Sequence, residues 1–135
     1  MSLEEVRAKN IQLVSEKALD CFTKNGIANT KVADIAKAAG LTERSVYRYF
    51  EAKSDIVIAA AFCYWNRTKE HISRELSMHD YRDLSGIEQI SIILNSYANI
   101  LFIDPEGIRF SLDAEIALYS AGKNERVINR PPERF

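Results

Sequence analysis

Apolar residues recur three and four apart along most of the chain, the spacing of amphipathic helices rather than strands. The first row is Ile11, Val14, Ala18 and Phe22, which predicts a helix over residues 4–24. Asn25-Gly26 stops it, because Gly takes a left-handed C-terminal cap without steric cost. Thr30 is the expected cap of a second helix, with Asp34 in its first turns and Val32, Ile35, Ala36 and Ala39 on its apolar face. Ala39-Gly40-Leu41 makes a short turn, and Thr42 caps a third helix that runs to about Tyr49. Two short helices joined by a tight Gly-containing turn make a helix-turn-helix pattern.

Further rows continue the all-α expectation. A long helix is predicted over 53–76, with Ile56, Ala60, Cys63 and Arg67 on one stripe and Phe62 and Trp65 close by. Residues 77–83 are polar and read as a connection. A fifth helix over 84–102 is rich in Ile90, Ile93, Leu94, Tyr97, Ala98 and Leu101. Asp104-Pro105 starts a sixth, since Pro suits the first helical turn, and it stops near Gly122. Asn124 begins a seventh that Pro131-Pro132 cuts off. The expected organisation is a helix-turn-helix head over 1–53 and a helical body over 54–135.

The third helix carries the chemistry. Successive residues rotate by about 100°, so with Val46 at zero Phe50 lies at about 40°. Arg44 and Arg48 then fall near 160° and 200°, Tyr47 near 100° and Ser45 near 260° (approximate values). Val46 and Phe50 are therefore expected to anchor the helix while Arg44, Ser45, Tyr47 and Arg48 point outward.

Composition narrows the class but does not name it. Apolar residues make 47% of the chain and charged residues 27%, ordinary globular values, and five Gly and three Pro among 135 residues favour helices. Net charge is −1 but uneven. Residues 1–53 hold nine Lys/Arg against seven Asp/Glu, a net of +2, and 54–135 hold nine against twelve, a net of −3. A cationic head points weakly to a polyanion. No window approaches an unbroken apolar run of about 18 residues, so no membrane span is expected. The polar N-terminus MSLEEVRAKN is no secretory signal, and the isolated Cys21 and Cys63 read as reduced thiols of a cytoplasmic protein.

An outward helix of this kind fits the major groove of B-DNA. Arg44 and Arg48 each offer a planar fork to guanine O6 and N7. Tyr47, Lys53 and the start of the second helix at Thr30 and Lys31 suit phosphate oxygens. Thr42 can donate to a phosphate or a base edge, whereas Glu43 would repel phosphate, so it either accepts from a cytosine amino group or orients Arg44. The plain alternative is a solvated helix face.

The run TKVADIAKAAGLTERSVYRYFEAKSDIV, preceded by ALDCFTKNGIAN, resembles the DNA-binding head of the tetracycline-repressor-like (TetR) family of bacterial transcriptional regulators. The residues that carry the likeness are Ile35, Ala36, Lys37, Gly40, Leu41 and Thr42, then Val46, Tyr47, Tyr49, Phe50 and Lys53. The match covers about residues 8–60; beyond it the likeness is one of architecture. The resemblance implies a homodimer on a palindromic double-stranded DNA operator, with a small-molecule effector held by the C-terminal helices. It implies DNA contacts from Thr30, Lys31, Thr42, Arg44, Ser45, Tyr47, Arg48, Tyr49 and Lys53. Two departures stand out. Ala52 occupies a position where the family often caps the fourth helix with Ser or Asn, and Ser54 is the expected substitute. The body is shorter than the family's and is expected to be incomplete.

In the body, Phe62, Trp65, Tyr97, Phe102, Arg109, Phe110 and Asp113 are the candidate effector-binding residues, although aromatics at helical spacing are also what a core requires. His71 and His79 lie beside a polar connector with no third ligand nearby, so neither a metal nor another cofactor is expected. No nucleophile motif or phosphate loop appears, so an enzyme is not expected. The competing functional class is a helical interaction module that pairs with a longer relative and has no operator of its own.

Overall fold

The computed structural model describes residues 1–120 and Gly122, in six helices. They are α1 (Leu3–Asn25), α2 (Val32–Ala39), α3 (Glu43–Tyr49), α4 (Lys53–Ser77), α5 (Gly86–Ile103) and α6 (Pro105–Ser120). The expected seventh helix lies outside the described residues.

Local chemistry sets each boundary. Ser2 accepts the Glu5 N–H and Glu5 accepts the Ser2 N–H, a reciprocal cap that starts α1. Gly26 ends it with φ +85°, in the region that favours glycine. After α2, the Gly40 N–H donates to Lys37 and the Leu41 N–H to Ala36, with Gly40 at φ +70°. This paired bonding is a Schellman closure and turns the chain sharply into α3. Thr42 accepts the Ser45 N–H at 3.1 Å and caps α3 as expected.

Three boundaries differ from expectation. Helix α2 starts at Val32, not after Thr30, because Asp34 reaches back to accept the Lys31 N–H at 3.0 Å. The cap of α4 involves neither Ala52's side chain nor Ser54; Asp55 accepts the Ala52 N–H at 3.0 Å. Helix α5 begins at Gly86, because Ser85 and Glu88 form a second reciprocal cap.

Helix α1 lies against α2, α4 and α6, and α4 lies against α5 and α6. One apolar cluster runs through them. It joins Val14, Ala18 and Phe22 of α1, Ile35 of α2, Val46 of α3, Ile56 and Ala60 of α4, and Phe110, Ala114 and Leu118 of α6. The Phe22 and Phe110 rings stack at 5.8 Å between centroids. Helix α3 thus sits on a foundation that reaches into the body.

Helix α5 is the exception. By length and composition alone it could cross a membrane, which the sequence reading did not foresee. Glu88, Gln89, Asn95 and Asn99 interrupt it, so the signal is weak.

Candidate nucleic-acid interface

The seven residues of α3 divide as the 100° rotation requires. Val46 is 0% exposed and the following Phe50 7%. Between them Tyr47 is 46% exposed, and Arg44 and Arg48 are exposed. Among the described residues neither arginine has a recorded ion pair, so both guanidinium forks are available to a ligand. Ser45 is half-buried, and the Thr42 hydroxyl donates to its Oγ at 2.9 Å. That bond closes the N-terminal turn.

Lys31 is exposed at the N-cap position of α2. Lys53 is half-buried, and its ammonium donates to the Ile27 carbonyl at 2.7 Å. It ties the start of α4 to the α1–α2 turn with one of its three N–H bonds. Tyr49 is half-buried and packs on the core. Its hydroxyl accepts from Asn10 at 3.0 Å, and Arg7 lies 5.6 Å above its ring. Tyr49 is thus a brace between α3 and α1. Arg7 and Asn10 were not singled out from the sequence, since nothing local links them to a residue 39 positions on.

Thr30 is a correction. Its side chain is 1% exposed, and the hydroxyl donates inward to the Gly26 carbonyl at 2.8 Å, with a longer contact to Cys21 at 3.3 Å. It satisfies the carbonyl of Gly26, the residue that ends α1, and its burial leaves no surface for a phosphate.

The candidate effector residues do not converge. Phe62 lines a cleft of about 900 Å³ between α1 and α4, together with Ile11, Ile58 and Arg67. Arg109, Phe110 and Asp113 border another of about 500 Å³, beside the α1–α2 turn. Trp65, Tyr97 and Phe102 are exposed and line neither. Phe110 is a second correction, since it is 2% exposed and belongs to the stacked core pair. Arg109 and Asp113 pair with each other at 3.8 Å on the surface. His71 sits 3.3 Å from Glu75, one turn away on the same helix.

Among the remaining titrating groups, burial pushes the Cys63 and Cys21 thiols above their usual range. The hydrogen-bonded Arg82 guanidinium holds the exposed Asp80 carboxyl below its own.

A three-helix head that buries two apolar side chains of its third helix and turns two arginines and a tyrosine outward has the form of a helix-turn-helix. Residues 15–60 match the family model of the bacterial regulatory proteins, tetR family. Over 83 residues the chain is 34% identical to the probable HTH-type transcriptional regulator ArpR of Pseudomonas putida and, equally, to the HTH-type transcriptional regulator TtgR of the same species. Those matches cover 62% of this chain and 39% of each relative, so the chain is similar to only part of the relatives' length. A crystal structure of the multidrug binding protein EbrR complexed with imidazole superposes with a TM-score of 0.63 at 17% identity, covering 86% of this chain and 59% of that one. A TetR family transcription regulator from Marinobacter aquaeolei VT8 gives 0.61 at 19% identity, covering 93% and 68%. At such identities these likenesses speak for the all-helical fold.

Proposed function

We propose that this chain is a cytoplasmic DNA-binding transcriptional regulator, a repressor that binds a palindromic operator as a homodimer. The observation that carries the reading is the outward face of α3, with Arg44, Tyr47 and Arg48 exposed above a buried Val46 and Phe50. Arg44 and Arg48 read guanine edges through bidentate forks. Lys31, Thr42, Ser45, Tyr47 and Lys53 hold phosphates and fix register. Tyr49 supports the helix from behind. Small-molecule control is part of the proposal, because the clefts beside Phe62 and Arg109 have the size of ligand sites.

The test begins with selection of a binding site from a random duplex library, followed by titration of that site with wild type and Arg48→Ala. The expected loss is about 1–3 kcal/mol, with relaxed preference at one base position. Lys31→Ala should weaken all sequences about equally and lower the salt slope by about one. Unchanged affinity and preference in Arg48→Ala would remove the base-reading role.

A further inference from the structure

Two residues of α1 hold Tyr49 of α3. Asn10 donates to its hydroxyl at 3.0 Å, and the Arg7 guanidinium lies over its ring, 5.6 Å from the centroid. Residues 7 and 10 are neighbours on one face of α1. The two contacts differ in kind. Asn10 is half-buried and ties the phenol to α1. Arg7 is exposed, and among the described residues its guanidinium has no recorded ion pair. Its nearest carboxylates in sequence do not take it: Glu5 accepts the Ser2 N–H, and no ion pair is recorded for Glu4. A guanidinium carries five N–H donors, more than one ring can occupy.

The place of Tyr49 on α3 says what Arg7 faces. With Val46 at zero, Tyr49 lies at about 300° and Ser45 near 260°, on one flank of the helix beside Arg48 near 200°. An α-helix with its side chains is about 10–12 Å across, and the major groove is about 12 Å wide. A helix seated there therefore brings each flank against a wall of phosphates. The flank that carries Ser45 and Tyr49 is the one to which α1 adds Arg7.

We propose that Arg7 is a phosphate-binding residue of the DNA interface, supplied by α1 and positioned on the Tyr49 ring. The proposal rests on the DNA-binding reading above and extends its contact surface to a helix outside the helix-turn-helix. The partner is a backbone phosphate rather than a base, because Arg7 stands outside the helix that enters the groove, and a guanidinium fork matches phosphate oxygens. Tyr49 then contributes without touching the duplex. Its ring holds a long side chain in one place, so less rotamer freedom is lost when a phosphate arrives. Arg7 thereby gains a binding role and Tyr49 a positioning one, from a contact that otherwise only joins α1 to α3.

The experiment is a salt-titrated anisotropy measurement on the full chain, with the selected duplex and an unrelated one of the same length. Arg7→Gln is compared with wild type and with Arg74→Gln, which removes an exposed cation from the body. Both arginines are exposed, so the helical circular dichroism should persist in each variant. Arg7→Gln should weaken the two duplexes by the same factor and lower the slope of log affinity against log salt by about 0.9 for each copy bound. Between about 50 and 200 mM salt, the wild-type advantage should therefore shrink about 3.5-fold per copy. Arg74→Gln should leave the slope as it is. Ethylation interference should show one phosphate in each half-site that matters to wild type and not to Arg7→Gln. In a Tyr49→Leu background, adding Arg7→Gln should have less than half of its effect. A slope unchanged by Arg7→Gln, or lowered equally by Arg74→Gln, overturns the contact, and the loss expected for Arg48→Ala then leaves the α3 reading standing. A loss confined to the selected duplex assigns Arg7 to a base and overturns the phosphate contact. An undiminished Arg7→Gln effect without the Tyr49 ring overturns the positioning role. A wild-type chain that binds neither duplex overturns this proposal and the DNA-binding reading together.

Discussion

Replacing Val46 by Ala tests whether α3 is held by its buried side. Val46 has no exposed surface and belongs to the apolar cluster shared by α1, α2 and α4. The substitution removes two methyl groups, worth about 1.6 kcal/mol at roughly 0.8 kcal/mol each. If a cavity of about 40 Å³ persists, it adds about 1 kcal/mol. Ala is the better helix former by about 0.6 kcal/mol, which opposes both. The net loss is therefore about 2 kcal/mol. For a chain of this size that lowers the melting temperature by roughly 6–10 °C. Urea unfolding followed by helical circular dichroism measures it, with Arg48→Ala as the exposed comparison, expected within about 0.5 kcal/mol of wild type. A Val46→Ala loss below about 0.5 kcal/mol would show that α3 is seated by something else.

Three other outcomes follow from buried contacts. Thr30→Val keeps the shape but removes the hydroxyl that donates to Gly26, and should cost about 1–2 kcal/mol in the same unfolding assay. Gly107→Ala should cost about 1–3 kcal/mol, because a Cβ there meets the Asp104 carboxylate and lies 2.5 Å from the Tyr64 ring. The Cys63 thiol, pushed by burial above its ordinary value of 9.0, favours folding while both states are protonated and ceases to do so as pH rises through its higher folded value. Stability should therefore fall above about pH 9 and fall less steeply in Cys63→Ala, with iodoacetamide reacting slowly at Cys63 until urea unfolds the chain.

Much of the head was legible because its determinants are local. The rotation that separates Val46 from Arg48, the Gly40 turn and the Thr42 cap are each set by residues within one or two turns of one another. Thr30 was misread for a related reason. Thr30 and Lys31 are both acceptable starts for α2, and the choice fell to Asp34, whose carboxylate reaches Lys31. The hydroxyl of Thr30 was then free to close α1 instead. Ser85 and Glu88 formed a visible capping pair, yet the apolar Leu84 drew the predicted start of α5 forward. Longer-range facts left no local trace. The brace from Asn10 to Tyr49 joins residues 39 apart. Phe110 looked like a cavity aromatic, and only the approach of α6 to α1 makes it the partner of Phe22. Which side of α5 meets the body is likewise decided by tertiary packing, which buries Ser96 and Ile100.

The central claim is that buried Val46 and Phe50 present Arg44, Tyr47 and Arg48 to a duplex. Titration of the isotopically labelled chain with its selected duplex, read as backbone amide shifts residue by residue, tests it most directly. The account predicts that the largest shifts fall on residues 42–48, with smaller ones at Lys31 and Lys53 and none centred on α5. Shifts concentrated on α5 or α6, with residues 42–48 unmoved at saturation, would contradict it.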